Sequence, residues 1–133
     1  MREGFLADTS ALVRFYRRQT SPGWDETVTA GLVGLCEPVR QEYLRAVGGR
    51  PDFYDADAVL HETFPYYSVP DDAWQQSARV QRHLADRGWH QSASPVDLIV
   101  AVTAAHHTLT VLHADRDVEC IIRIIGQTAR RID

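Results

Sequence analysis

The sequence contains no lysine; all 14 of its basic residues are arginine. Phosphate-gripping lysines of P-loop enzymes, Schiff-base chemistry and phosphoryl-aspartate folds are excluded together. There are only two cysteines, Cys36 and Cys120, too few for a disulfide framework and not spaced as a metal clamp. No apolar run approaches the ~18 residues that span a bilayer, so no membrane association is expected. Residues 1–5 lack the apolar core of a signal peptide, so a cytoplasmic location is expected. Positive charge is also short: 14 basic residues face 18 acidic ones, a net charge of −4. The chain therefore cannot hold nucleic acid by bulk charge and would need metal ions or local arginines to do so.

What remains is ordinary for a globular protein: 44% hydrophobic and 24% charged residues in a chain of 133. That length fits one domain, residues 1–133. Residues 3–8 read as a short strand ending at Asp8. Asp8, Thr9 and Ser10 are N-cap residue types, and Leu12, Phe15 and Tyr16 follow at helical spacing. Residues 24–31 fit a helix and 32–36 a second buried strand. Pro38 suits the first position of a helix that Gly48 and Gly49 stop. Pro51 opens another helix, ending near Pro65. A longer helix starts at 70–72 and closes at Gly88, with Trp74, Ala78 and Leu84 among its apolar positions. The helix that starts at Ser94 is apolar on most sides, which places it in the middle of the domain. Residues 109–112 form a β-rich run, followed by a short helix and a last strand around 128–132. Short buried strands between helices predict an α/β fold with a mostly parallel sheet of about four to five strands flanked by helices. The working site of such a sheet lies at the carboxyl ends of its strands.

The acids fall there. Asp8 ends the first strand, Asp97 lies in the first turn of the buried helix, and Asp115 and Asp117 follow the strand at 109–112. Each has a local explanation as a helix cap or turn residue. Glu42 is different, because it sits beside a stripe formed by Val39, Tyr43 and Ala46. A carboxylate facing the core needs a partner, either an arginine or a cation. Carboxylates converging on one crevice repel by roughly 4 kcal/mol per close pair, so some must take up protons unless a cation is present. An all-oxygen, carboxylate-rich site suits Mg²⁺ or Mn²⁺ and not Zn²⁺. The histidines offer no i, i+4 pair for zinc. His113, beside the acids in sequence, reads as a strand-end residue or as one that orients a ligand. Neither a Gly-x-Ser-x-Gly elbow nor a cysteine triad is present.

Four segments, LADTSALV (6–13), EPVRQEYL (37–44), SPVDLIVAVTA (94–104) and LHADRDVE (112–119), together resemble the four acidic motifs of PIN-domain ribonucleases. The resemblance is nearest to VapC-type toxins of bacterial toxin–antitoxin pairs and covers almost the whole chain. It implies a three-layer PIN-like fold and a Mg²⁺- or Mn²⁺-dependent endoribonuclease. Asp8, Glu42, Asp97 and Asp115 fall on the catalytic, metal-binding acids, and Asp117 falls on a further acid of the last motif that is also a candidate metal ligand, with either Asp115 or Asp117 reaching the ion. Thr9 or Ser10 matches the small hydroxyl residue that supports the site in the family. Two departures are Val118, where the family usually has phenylalanine, and a poorly matched last strand.

The resemblance further implies an RNA substrate, a small antitoxin partner whose tail lies over the active-site groove, and a homodimer. Arg14 and Arg116 are candidates for phosphate contacts, while Arg17 and Arg18 read as a solvated helix face. The aromatic residues Phe53, Tyr54, Phe64, Tyr66, Tyr67 and Trp74 crowd the middle of the chain, as core or as interface. Two alternatives stay open: a PIN-like binding module without catalysis, and a metal nuclease acting on DNA.

Overall fold

In a computed structural model, which describes residues 2–133, β1 (Phe5–Ala7) runs through the middle of a four-stranded sheet in the order β2-β1-β3-β4. β2 is Val33–Gly34, β3 Thr110–His113 and β4 Ala129–Arg131. Every pairing is parallel, with Leu6 opposite Gly34 on one side and Val111 on the other. One further parallel bridge, Leu35 to Tyr66, extends the β2 edge. The seven helices among the described residues are α1 (Thr9–Tyr16), α2 (Trp24–Thr29), α3 (Glu37–Arg45), α4 (Arg50–Thr63), α5 (Ala73–Asp86), α6 (Pro95–His106) and α7 (Arg116–Ile125). This is the parallel α/β architecture the strand pattern predicts. No described helix is long and apolar enough to cross a membrane.

The strands are shorter than the apolar runs that contain them. Glu3 lies outside β1, and its carboxylate accepts from the Thr110 hydroxyl at 2.8 Å. Asp8 has left the strand to cap α1, although its N–H still donates to Leu112 O at 3.0 Å. β2 holds two residues where five were expected. At Gly34 an added Cβ would meet the ring of Tyr67, so the absent side chain makes room for that aromatic.

α6 is buried continuously from Leu98 to Ala104, as its near-unbroken apolar sequence requires. Val118 is buried in the same core as β1 and β3, so the smaller residue still packs there.

Three local expectations are corrected. Cys36 is the N-cap of α3, which puts Pro38 at the second helical position and not the first. α3 ends at Arg45, well before the two glycines, so Ala46 is exposed and Leu44 takes the buried place expected of it. On α5 the buried face is Ala73, Ser77, Val80 and Leu84, with Trp74 turned out to solvent.

Candidate active site

Three helix N-termini meet beyond the carboxyl ends of β1 and β3: Asp8 caps α1, Asp115 caps α7, and Ser94 caps α6 with Asp97 in its first turn. Asp8 Oδ1 accepts from the Ala11 N–H at 2.9 Å and from the Ser10 hydroxyl at 2.7 Å. Asp97 forms a capping box with Ser94: its Oδ2 accepts from Ser94 N–H at 3.0 Å, and its own N–H donates to Ser94 Oγ at 3.2 Å. Asp115 Oδ1 accepts from Asp117 N–H at 2.9 Å. In all three the other carboxylate oxygen accepts no hydrogen bond among the described residues. The cap reading and the site reading of these acids are therefore compatible: one oxygen stabilises the helix start and the second is uncommitted.

Asp8, Asp97 and Asp115 line one cavity of about 430 Å³, together with Glu42, Thr9, Ser10, Val13, Arg14 and Ala114. Glu42 reaches it from α3, is half-buried, and has no arginine partner among the described residues. Asp117 and Arg116 are exposed on the first turn of α7 and line no part of this cavity. Arg14 is its sole cationic lining residue, while Arg17 and Arg18 are exposed, as a solvated face should be.

The acids feel one another. Asp8 is 4% exposed. Burial pushes its proton affinity up to about pH 6, against the hydrogen bonds from Ala11 and Ser10, with Asp97 and Asp115 adding to the rise. Asp97 is raised as well, first by burial and then by Asp115 and Glu42, while its bonds to Ser94 oppose the rise. Proton uptake is the expected response of a carboxylate cluster without a counter-charge.

The donor chemistry fits a hard divalent ion: four carboxylates, no thiolate and no imidazole at the cavity. The hydroxyl of Thr9, in the lining, is buried without a hydrogen-bond partner. That orphan group is suited to a bound water or ligand. Among the described residues, no three of these side chains stand close enough to grip a single ion as they are. The acids surround a space and do not close on it. Away from the acids, burial pushes the Cys36 thiol up to about 11, and buried His113 accepts from Asp115 N–H.

Sequence reasoning missed two features. The Ser10 hydroxyl also accepts from Ala114 N–H at 2.9 Å, tying the first motif to the last. Gln41 and Arg45 line a hollow adjoining Glu42. Their mutual spacing of four residues, which puts both on one face of α3, is the signal that could have found them.

Known proteins resemble the chain in sequence and in fold. The PIN-domain family model matches residues 5–123. The chain is 32% identical to ribonuclease VapC2 of Mycobacterium tuberculosis over 133 residues, covering 96% of this chain and 92% of that protein. It is 35% identical to ribonuclease VapC17 of the same species over 116 residues, 85% of this chain and 83% of that protein. Among solved structures, the DNA-bound VapBC of Salmonella typhimurium superposes with a TM-score of 0.75 at 14% identity, over 99% of this chain and 100% of that one. VapBC-5 of Mycobacterium tuberculosis gives 0.62 at 24% identity, over 98% of each. With the family model spanning nearly all of the chain and the four acids in order around one cavity, the protein belongs to the PIN-domain family.

Proposed function

We propose that the chain is the toxin of a toxin–antitoxin pair, a single-domain endoribonuclease that hydrolyses RNA phosphodiester bonds at a carboxylate-bound divalent ion. The observation that carries this reading is the gathering of Asp8, Glu42, Asp97 and Asp115 from distant parts of the sequence around one cavity. The VapC relatives, which bear the name ribonuclease, support it.

Asp8, Asp97, Glu42 and Asp115 would hold the ion, Mg²⁺ or Mn²⁺. When bound, such an ion supplies an activated water and a charge that stabilises the leaving oxygen. Ser10 orients Asp8 through its 2.7 Å hydrogen bond. Arg14, in the same lining, offers a charge-assisted contact to a phosphate oxygen of the strand. Asp117 lies outside the cavity, so of the two acids in the last motif Asp115 is assigned to the metal. Arg116 is exposed next to it and is kept only as a contact to an outlying phosphate.

The partner assigned is a small antitoxin, and the VapBC complexes among the structural neighbours support that assignment. A cytoplasmic location and self-association complete the proposal. The test is cleavage of a structured RNA by the purified chain in millimolar Mg²⁺, with a matched DNA strand beside it. The expected result is RNA cleavage that EDTA stops, Mn²⁺ restores, and Asp8→Asn or Asp97→Asn abolishes. Full activity of both variants would overturn the metal-site assignment, and preferential cutting of the DNA would overturn the substrate.

A further inference from the structure

β4 runs parallel to β3, with His113 opposite Arg131. The chain therefore leaves β4 on the same edge of the sheet as the loop that carries Asp115 after β3. Ile132 pins this exit. Its N–H donates to His113 O at 2.9 Å, and its carbonyl accepts from Ser21 N–H at 2.9 Å, in the turn that follows α1. Its side chain is buried. Arg131 and Asp133, on either side of it, are exposed.

The Arg131 guanidinium is engaged on two edges. Its Nη1 donates to Glu119 Oε1 of α7 at 3.3 Å. Its Nε and Nη2 donate to the two carboxylate oxygens of Asp133 at 3.0 and 3.4 Å. That forked edge is the one with which a guanidinium grips a phosphate. Arg14 lines the acid cavity, and among the described residues it has no acidic partner. The Asp133 carboxyl is held below the usual aspartate range, first by its hydrogen bonds from Arg131 and more weakly by the charge of Arg14. A small monoanion thus sits in the field of two arginines, one of which lines the cavity where the acids gather.

We infer that Arg14 and Arg131 form a clamp for one phosphodiester of the RNA strand beside the acid cavity, and that Asp133 occupies the clamp until the strand displaces it. The inference rests on the ribonuclease reading above. A chain of net charge −4 cannot hold the strand by bulk charge, so its phosphate contacts come from arginines at the site. The exchange replaces one monoanion by another and leaves neither arginine uncompensated. The ion pair given up is exposed and contributes little stability. Glu119 stays in place and keeps the fork of Arg131 aimed.

A purely local ion pair is the competing reading, since an arginine and an aspartate two positions apart on an exposed edge need no purpose. Two observations go beyond it. Arg131 is oriented by a second acid from another element, twelve positions away. The charge of Arg14, from α1, acts on the same carboxylate.

The experiment compares cleavage of single-stranded RNA with binding of 2′-O-methyl strands in which each phosphate in turn is a neutral methylphosphonate. Binding is read by fluorescence anisotropy with Ca²⁺ in place of Mg²⁺, so that affinity is measured without turnover. In cleavage, Arg131→Gln raises KM about tenfold with kcat little changed, the size of one lost charge-assisted contact. Arg131→Lys recovers only part of the loss, because an ammonium cannot fork. Asp133→Asn lowers KM about threefold, as loss of an exposed competing pair should. Asp117→Asn, the same change of charge outside the clamp, leaves KM unchanged. In binding, one methylphosphonate position weakens the wild-type chain as much as Arg131→Gln does, and adds nothing further in that variant. If the wild type cleaves RNA but Arg131→Gln keeps its KM, or the methylphosphonate scan is the same in both proteins, the clamp is wrong while the ribonuclease stands. If Arg131→Gln and Asp133→Asn raise KM alike and lower Tm alike, the pair is a local strut and the clamp is wrong. If the strands bind in the predicted order and no divalent ion supports cleavage, the clamp stands and the ribonuclease reading falls.

Discussion

Ser10 and Ala114 are joined by a hydrogen bond of 2.9 Å across 104 positions of sequence. The same hydroxyl donates to Asp8 at 2.7 Å. One small side chain thereby fixes the loop that carries Asp115 against the end of β1, and sets the Asp8 carboxylate in the same stroke. The relationship ties the acids of the first and last motifs into one unit.

Removing that hydroxyl should be felt in both places. Ser10→Ala leaves the Ala114 N–H without its partner and takes one hydrogen bond from Asp8. The expected stability loss is about 1–2 kcal/mol, read by urea denaturation. The proton affinity of Asp8 should rise further, because the Ser10 bond opposes the rise. A Ser10→Ala chain with unchanged stability and unchanged pH response would show that the bridge is idle.

Protonation of Asp8 predicts an unusual pH response for the metal-free protein. Burial pushes the Asp8 carboxyl up to about 6 in the folded chain, from an ordinary aspartate value of 3.8. Between these values the native state holds more protons than the unfolded one, so stability falls as pH rises. The whole contribution is about 3 kcal/mol. Burial lowers the proton affinity of His113, which gives the opposite slope as pH drops through the histidine range. The contrast with Asp8→Asn isolates the aspartate. The variant should gain on the wild type in Tm as pH rises from about 4 to about 7, and the gain should shrink when Mg²⁺ is added. Parallel Tm curves for the two proteins would remove Asp8 as the source.

The two acids of the last motif should behave differently. Asp115 lines the cavity and caps α7, whereas Asp117 is exposed outside it. Asp115→Asn should lower kcat by roughly 10²–10³-fold, as loss of a metal ligand does. Asp117→Asn should stay within about threefold of wild type, since its side chain touches no part of the cavity. Equal losses in both would mean that α7 turns when the ion binds.

Gly34 tests the fold away from the chemistry. A Cβ there meets the ring of Tyr67 and approaches the Pro65 carbonyl oxygen at 3.0 Å. Gly34→Ala should destabilise by about 1–3 kcal/mol through overpacking. The double variant Gly34→Ala, Tyr67→Ala should recover part of that loss. A neutral single substitution would show that the β2 edge yields more easily than the packing implies.

The acids were legible because their signals are local. Asp8 and Asp115 stand where an apolar run gives way to helix-capping residues, and Asp97 stands three residues after the serine of its own capping box. Glu42 was legible from its place on α3, although Ala46, which the spacing puts on the same face, lies past the helix end. Periodicity gives the face of a helix but not its last residue. On α5 the phase itself misled, because Ser77 occupies a core position with its hydroxyl donating to Trp74 O at 3.0 Å. A satisfied serine can be buried, and that rotates the large indole outward. The Ser10–Ala114 bridge and the hollow adjoining Glu42 are products of tertiary approach, which no window of sequence contains.

The central claim is that Asp8, Glu42, Asp97 and Asp115 act as one divalent-ion site. It is tested most directly by titrating Mn²⁺ into the wild-type chain and following the free ion by its electron paramagnetic resonance signal. Saturable binding at or below millimolar concentration is predicted, lost in Asp8→Asn and in Asp97→Asn and retained in Asp117→Asn. Binding that survives both substitutions, or no binding by the wild type at all, would contradict it.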